Sequence, residues 1–331
     1  MKGPPTRPRI EEVAAHARVS PATVSRYFTK RNLVSDDTAL RIKKAVDELG
    51  YVPNLLAGGL ASNRSRLVAL LVPSLAPFET IIEAIAARLT ESGYTPMLGV
   101  SGLREQALPA VIDAALERRV DAVILTGIVI DLEMRFKLEG AGVTVVETWG
   151  LPPEPIDCAV GFSNAAIGRA TAAFLHKRGY VRPLIVTARW SRSGERRDGF
   201  SQEWQKLCDR PFREVEVTTP SRFGQARPVF RSVQALGERP DVLVCGSDSL
   251  AQGLIVEAVH AGLSVPEDVA IMGFGDLAIA GVMRPPITTI AVHGDRIGIE
   301  TATILNERYE DHLAPAKVVD VGFQIIQRES A

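Results

Sequence analysis

The chain has 331 residues, 46% of them hydrophobic, with 38 Lys/Arg against 39 Asp/Glu. That is material for more than one domain, each with a sizeable core. The longest apolar run, Leu67–Val72, is far too short to span a bilayer, and residues 1–9 are rich in Pro and Arg with no apolar core, so neither a membrane span nor a secretory signal is read. Cys158, Cys208 and Cys245 are distant and odd in number, which reads as buried free thiols in a reducing cytoplasm.

The first predicted element is a short helix on which Ile10, Val13, Ala14 and Ala17 share one apolar face. Ser20 then offers an N-cap and Pro21 occupies the first helical position, where its missing N–H costs nothing. This places a second helix, Pro21 to about Thr29, only a few residues after the first. Helix, tight turn, helix is the arrangement that lays a recognition helix in the DNA major groove. A third helix follows with Ser35 or Asp36 as its cap and Ile42, Ala45, Val46 and Leu49 on one face, closed by Gly50. The net charge of −1 hides an asymmetry: residues 1–62 carry ten Lys/Arg against six Asp/Glu, and the remainder carries 28 against 33. A basic head on a mildly acidic body suits nucleic-acid contact by the head alone.

After Gly50 the chain runs Tyr51-Val52-Pro53-Asn54 into Leu55–Ala61, a weak helix with Gly58 and Gly59 in its interior. Two glycines cost roughly 1 kcal/mol each relative to alanine, so the segment is marginally helical unless a partner orders it. The motif Val19-Ser20-x-x-Thr23-Val24-Ser25-Arg26, followed by Tyr51-Val52-Pro53-Asn54 and Leu60-Ala61, resembles the headpiece and hinge of the LacI/GalR family of bacterial repressors.

Residues 62–66 read as a polar linker. Beyond it strands and helices alternate: strand Leu67–Pro73, helix Phe78–Ser92, strand Thr95–Val100, helix Arg104–Arg118, and strands Ala122–Leu125 and Val143–Glu147 around a helix near Asp131–Glu139. The pattern starts again after Gly179, with strands Pro183–Thr187, Glu214–Val217, Val242–Cys245 and Val269–Phe274 and helices Gly194–Leu207, Gly224–Leu236 and Ser249–Ala261. This is the signature of two doubly wound parallel sheets, which leave a cleft at the carboxyl ends of their strands.

The resemblance extends over the body through Asp241-Val242-Leu243-Val244-Cys245-Gly246-Ser247-Asp248-Ser249-Leu250-Ala251-Gln252-Gly253 and Gly262-Leu263-x-Val265-Pro266-Glu267-Asp268-Val269-Ala270-Ile271-x-Gly273-Phe274. It implies a periplasmic-binding-protein-like body of two subdomains with three chain crossings, here near Lys177–Gly179, Thr289–Val292 and Val321–Phe323. The expected organisation is a helix-turn-helix head at 1–50, a hinge helix at 51–62, and an effector and dimerisation domain at 63–331. Within that domain the first subdomain takes about 65–177 and 291–321, and the second about 179–290 and 322–331. Gly161-Phe162-Ser163-Asn164 and Gly273-Phe274-Gly275-Asp276 resemble the branch that contains gluconate-operon repressors.

Enzymatic readings find no support. His16, His176, His260, His293 and His312 are scattered, with no His-x-x-x-His pair and no Cys/His metal spacing. The chain has no Gly-x-Ser-x-Gly elbow and no P-loop, and Gly273-Phe274-Gly275 lacks the third glycine of a dinucleotide site. No metal or cofactor is expected.

The resemblance assigns roles residue by residue. Pro21, Ala22 and Arg26 occupy the family's base-facing positions; Arg26 can hold guanine O6 and N7 together, whereas Pro21 and Ala22 offer apolar contact alone. Ser20, Thr23 and Ser25 serve phosphates, or for Thr23 the head's interior. Asn54, Leu60 and Ala61 match hinge positions, with Leu60 as an apolar wedge in the minor groove. Arg196, in Arg196-x-x-Gly199-Phe200, stands where relatives carry an effector-binding arginine. Arg189, Arg192 and Arg197 surround it, and guanidinium groups favour an anion. Ser163, Ser247 and Gly275 replace acidic or amide residues of neutral-sugar binders, Asp248 follows at a strand end, and Ser74 and Trp149 are lining candidates from the other subdomain. The expected function is a repressor controlled by an open-chain sugar acid such as gluconate. A neutral sugar is the second choice, and a sugar-binding protein with an accessory helical domain is the rival class. The expected partners are a near-palindromic operator DNA, the effector and a second copy of the chain, in a two-fold homodimer.

Overall fold

The computed structural model describes residues 8–53, 65–75, 78–102, 107–128, 130–188, 192–208, 210–218, 221–311 and 314–331. The expectations for Asn54, Leu60, Ala61 and Arg189 lie outside the described residues. The chain divides into two compact units, residues 1–65 and 66–331.

The first unit is built from α1 (Ile10–Ala17), α2 (Pro21–Thr29) and α3 (Asp36–Leu49). The expected apolar faces form its core: Val13, Ala14 and Ala17 pack with Val24, Ile42 and Ala45. The turn between α1 and α2 is tight because Arg18 adopts φ 55°, a left-handed conformation that closes α1 with bonds from its N–H to the last carbonyls. Ser20 then caps α2 by accepting from the Thr23 N–H at 3.2 Å. Arg41 reaches from α3 to donate to the Ala17 carbonyl at 3.2 Å, holding α3 against the end of α1. Gly50 ends α3 at φ 65°, as its position suggests.

In the second unit, β1 (Leu67–Val72), α4 (Glu79–Glu91), β2 (Thr95–Val100), α5 (Leu108–Glu117), β3 (Ala122–Thr126), α6 (Leu132–Ala141), β4 (Thr144–Thr148) and β5 (Cys158–Gly161) alternate. With β11 (Val318–Asp320) they make a sheet in the order β11-β5-β4-β3-β1-β2, parallel throughout. Strand alternation sorts the core into two layers. Val68, Leu70, Ile124 and Val146 face Ile81, Ile85 and Leu89 of α4, while Ala69, Leu71, Val123 and Val145 face Ile112 of α5 and Leu138 of α6.

The other half contains α7 (Asn164–Lys177), β6 (Pro183–Ala188), α8 (Ser193–Leu207), β7 (Arg213–Val217), α9 (Ala226–Gln234), β8 (Val242–Cys245), α10 (Asp248–His260), β9 (Ala270–Met272) and the short α11 (Ala278–Val282). Its sheet runs β7-β6-β8-β9, again parallel. After β10 (Thr289–Val292) the chain forms α12 (Gly294–Glu310), which packs on α4 of the first half, and returns through β12 (Phe323–Ile326). β10 and β12 pair antiparallel from Thr289–Ile326 to Val292–Phe323, where two of the crossings are expected.

The first crossing departs from expectation. α7 is absent from the alternation read above, yet it is a full helix and packs along α8 rather than with the first sheet. Gly168 in its interior resembles a helix breaker, but a Cβ there would meet the Arg196 carbonyl oxygen at 2.0 Å. Gly199 reciprocates, its Cβ position lying 2.2 Å from the Ala165 carbonyl oxygen. Both glycines are there so that two helix backbones can touch. We therefore place the first crossing at Phe162–Ser163 instead of Lys177–Gly179, which moves α7 to the second subdomain. β5 also escaped the alternation, being four residues of small side chains.

Candidate DNA-recognition surface and effector cleft

On α2, burial of Val24 turns the opposite face outward, and Pro21, Ala22, Ser25 and Arg26 are all exposed on it. These positions are spaced i, i+1, i+4 and i+5, one continuous stripe on a helix. Thr23 is half-buried, its hydroxyl 2.9 Å from that of Ser20, so the pair spends itself on the start of the helix. Phe28 and Tyr51, with ring centroids 6.1 Å apart, pack the end of α2 against the second residue after α3. A rigid three-helix core thus presents one helix face carrying a basic tip and an apolar beginning.

In the second unit, parallel strands put the carboxyl ends of both sheets on one cleft. Trp149 follows β4, Phe162 follows β5 and Phe274 follows β9, and their rings meet there: Trp149–Phe162 at 5.4 Å, Trp149–Phe274 at 6.1 Å and Phe162–Phe274 at 6.1 Å. Phe78 stacks edge-on to Trp149 at 5.1 Å. Trp149 holds φ 69°, a conformation an aromatic residue adopts only under constraint and one that marks functional loops.

Arg196 enters this aromatic floor from the first turns of α8. Its guanidinium carbon lies 4.1 Å from the Phe274 ring centroid, and its Nη1 donates to Asn164 Oδ1 at 2.6 Å. Burial lowers its pKa to about 10, against the raising effect of Glu195, so it remains a cation at neutral pH. Arg196 lines a cavity of about 40 Å³ with Thr171, Ser193, Phe200 and Phe274. Beside it Arg192, almost fully buried, places Nη2 3.6 Å from Glu147 of β4 in the other sheet and Nη1 3.3 Å from Glu195. Burial raises the Glu147 carboxyl, which Arg192 and a 2.9 Å bond from the Ile156 N–H partly offset.

The remaining sequence candidates divide. Ser163 is half-buried and caps α7, accepting from the Ala166 N–H at 3.1 Å. Ser74 is buried at the end of β1. Ser247 and Asp248, expected as effector contacts, are instead internal ties with no exposed surface. Ser247 donates to the Ser221 carbonyl at 3.0 Å and accepts from the Leu250 N–H at 3.2 Å. Asp248 accepts from Thr289 Oγ1 at 2.5 Å and from the Leu277 N–H at 2.7 Å. Ser247 caps α10 and ties it to Ser221, and Asp248 anchors the same helix to β10 and to the loop after β9. Gly275 has φ 119°, a conformation that a side chain would strain. Asn164, Arg192 and Glu147 join the cleft only in three dimensions. Asn164 stands in the Gly161–Asn164 motif and Arg192 among the arginines around Arg196, but no local pattern singles out Glu147.

The sequence matches two family models, "Bacterial regulatory proteins, lacI family" over residues 9–54 and "Periplasmic binding protein-like domain" over residues 172–331. It is 33% identical to the HTH-type transcriptional regulator GntR of Pseudomonas aeruginosa, across 98% of this chain and 96% of that protein. It is 29% identical to GntR of Escherichia coli K12 across 96% and 97%. Among solved structures, a LacI-family regulator from Silicibacter pomeroyi superposes with a TM-score of 0.89 at 27% identity, covering 98% of this chain and 99% of that one. The lac repressor dimer bound to operator shares the fold with a TM-score of 0.82 at 22% identity over 98% and 99%. The chain is a member of the LacI family of DNA-binding transcriptional regulators, and it is similar within that family to the GntR-type proteins.

Proposed function

We propose that this regulator represses genes for the breakdown of a sugar acid, and that the acid, of the gluconate type, enters the cleft and releases the protein from its operator. The observation that carries the reading is Arg196. It is a charged guanidinium set on an aromatic floor at the meeting of two sheets, with one nitrogen fixed by Asn164 and, among the described residues, no second hydrogen bond on its fork. Trp149 and Phe274 supply apolar faces for the carbon chain of a polyol. The cavity beside Arg196, about 40 Å³ and lined by residues of the second half, is smaller than a six-carbon acid, so only part of the effector enters it. Ligand that binds one spacing of the halves better than the other shifts the population between them, and this is how occupancy reaches the head.

The head is taken to read a near-palindrome as a two-fold homodimer, with Arg26 on guanine and Pro21 and Ala22 against apolar base edges. Asn54, Leu60 and Ala61 would complete the contact in the minor groove. In this reading residues 1–50 form the head, 51–62 the hinge and the rest the effector and dimer domain, and the protein works in the cytoplasm where its operator is. A neutral sugar is the second reading, favoured by the aromatic lining, which serves sugars of any charge.

The test combines a melting series with a gel shift. The protein is melted with gluconate, keto-gluconates, glucose and xylose, then shifted on the DNA upstream of its own gene with each compound that raises Tm. A sugar acid that raises Tm and removes the shifted band is the expected result. A Tm rise with neutral sugars alone would replace the sugar acid by the second reading.

A further inference from the structure

Two buried hydrogen-bond donors of the cleft, Arg192 Nε and Asn164 Nδ2, have no partner among the described residues. Buried donors are rarely left unmade, because the lost bonds to water are not replaced, so the two mark a place where an acceptor would be welcome. Both border Gly150: a Cβ built on that residue would lie 2.9 Å from Arg192 Nε and 3.2 Å from Asn164 Nδ2, so the two donors are near neighbours. Gly150 allows this, since a Cβ there would press on Arg192 Cδ at 2.4 Å. Asn164 cannot turn away, because its Oδ1 is held by Arg196.

Arg192 also carries the buried ion pair that joins the two sheets. Nε and Nη2 form one edge of a guanidinium, the edge that a carboxylate grips with both oxygens. Glu147 uses only half of it, through Nη2 at 3.6 Å. Its own second oxygen is committed to the Ile156 N–H. The result is a loose pair across the cleft whose desolvation is only partly repaid, with one of the two donors idle.

Resting on the reading of the effector as a sugar acid, we propose that Arg192 is the second anion-binding arginine of the cleft and that Glu147 is its resident competitor. The effector's carboxylate, shared with Arg196, displaces Glu147 from the Nε–Nη2 edge of Arg192, and Asn164 Nδ2 donates to the carboxylate or to the adjacent hydroxyl. Losing that contact uncouples β4 of the first sheet from α8 of the second, so the anion that fills the site also unfastens the two halves. Glu147 thereby sets both affinity and selectivity. A neutral sugar has no charge with which to displace it. The groove on the solvent side of the pair, about 750 Å³, is also lined by Asp131, Glu133, Glu154 and Glu195 against Arg135. That acidic rim disfavours approach of an anion from the groove, whereas Asn164, bound to Arg196, borders the pair on its other side.

The test is calorimetry on the full chain with gluconate and with glucitol, its uncharged polyol counterpart. Glu147→Gln keeps an acceptor for the Ile156 N–H and removes the competing charge; Arg192→Met removes the edge. Glu147→Gln is expected to tighten gluconate on the order of tenfold and leave glucitol unchanged, because the Nε–Nη2 edge of Arg192 then has no charged competitor for the ligand. Its Tm falls without ligand and recovers more with gluconate than that of the wild type. Arg192→Met weakens gluconate. Tight gluconate binding by wild type with Glu147→Gln unchanged or weaker, or with Arg192→Met unchanged, overturns the competition and leaves the sugar-acid reading standing. A wild type that binds glucitol or hexoses and no acid overturns both.

Discussion

Arg196 Nη1 donates to Asn164 Oδ1 at 2.6 Å, so the arginine of α8 proposed to bind the effector is set by the first residue of α7. Both helices belong to the same half, and the arginine therefore keeps its aim when the halves separate. Arg196→Ala is expected to cost about 2–5 kcal/mol of acid binding, as removal of a buried hydrogen-bonded charge does. Operator affinity without effector stays at the wild-type level. Arg196→Lys does not rescue, since an ammonium has no fork to share between Asn164 and a ligand. Titration of both variants with gluconate, and of operator without it, checks this; a Lys variant with wild-type affinity contradicts it.

The contact that brings these helices together makes a second expectation. Gly168→Ala places a methyl 2.0 Å from the Arg196 carbonyl oxygen and must push α8 away, whereas a Cβ on Gly140 of α6 meets nothing within 4 Å. Overpacking of this kind costs about 1–3 kcal/mol or more, while alanine for glycine inside a helix contributes about 0.5–1 kcal/mol. Thermal unfolding should therefore show Gly168→Ala well below the wild type and Gly140→Ala slightly above it. Equal Tm values for the two variants contradict the packing.

The same helix pair shows what a sequence discloses and what it conceals. The head was legible because its signals are local: a Ser20 cap, Pro21 at the first helical position, apolar residues at helical spacing and Gly50 at the end. Most strands and helices of the body were legible by alternation, and Arg196 by its place in a motif. α7 was not, since Gly168 looks like a break until its neighbour is known. Ser247 and Asp248 carry the right chemistry at strand ends, but burial and completed hydrogen bonds turn them to holding α10. The Glu147–Arg192 pair joins residues of different sheets, and nothing in the run of residues 143–148 distinguishes that carboxylate from a strand-end charge.

Asp248 gives a pH-dependent expectation. Burial holds its carboxyl above the ordinary value of 3.8, against the lowering effect of the bonds from Thr289 and Leu277. The folded protein therefore keeps a proton that the unfolded chain has released. The stability from this group is full below its ordinary pKa and is lost as pH rises through the raised folded value. Asp248→Asn removes that loss and also removes an acceptor for the Leu277 N–H, at a cost of about 1–3 kcal/mol. The Tm deficit of the variant should be widest near pH 4 and narrower at pH 7. A deficit that grows with pH contradicts the assignment.

The head and hinge separate specificity from charge. Arg26→Ala should cost about 1–3 kcal/mol on operator and relax the preference at one base position. Leu60→Ala should weaken operator binding strongly and leave salt-driven binding to random DNA nearly intact, since a wedge acts through bending and unstacking. Fluorescence anisotropy on operator and scrambled duplexes over a range of salt distinguishes them. Equal losses on both duplexes would show that these side chains serve only the fold.

The most direct test of the account is release of operator. Protein bound to a labelled operator duplex is titrated with gluconate and, in parallel, with glucitol, for the wild type and for Arg196→Ala. The account predicts that anisotropy of the wild-type complex falls to the free-DNA value with gluconate, stays flat with glucitol, and stays flat with both for Arg196→Ala. Release by glucitol as readily as by gluconate, or release of the Arg196→Ala complex by gluconate at wild-type concentrations, would contradict it.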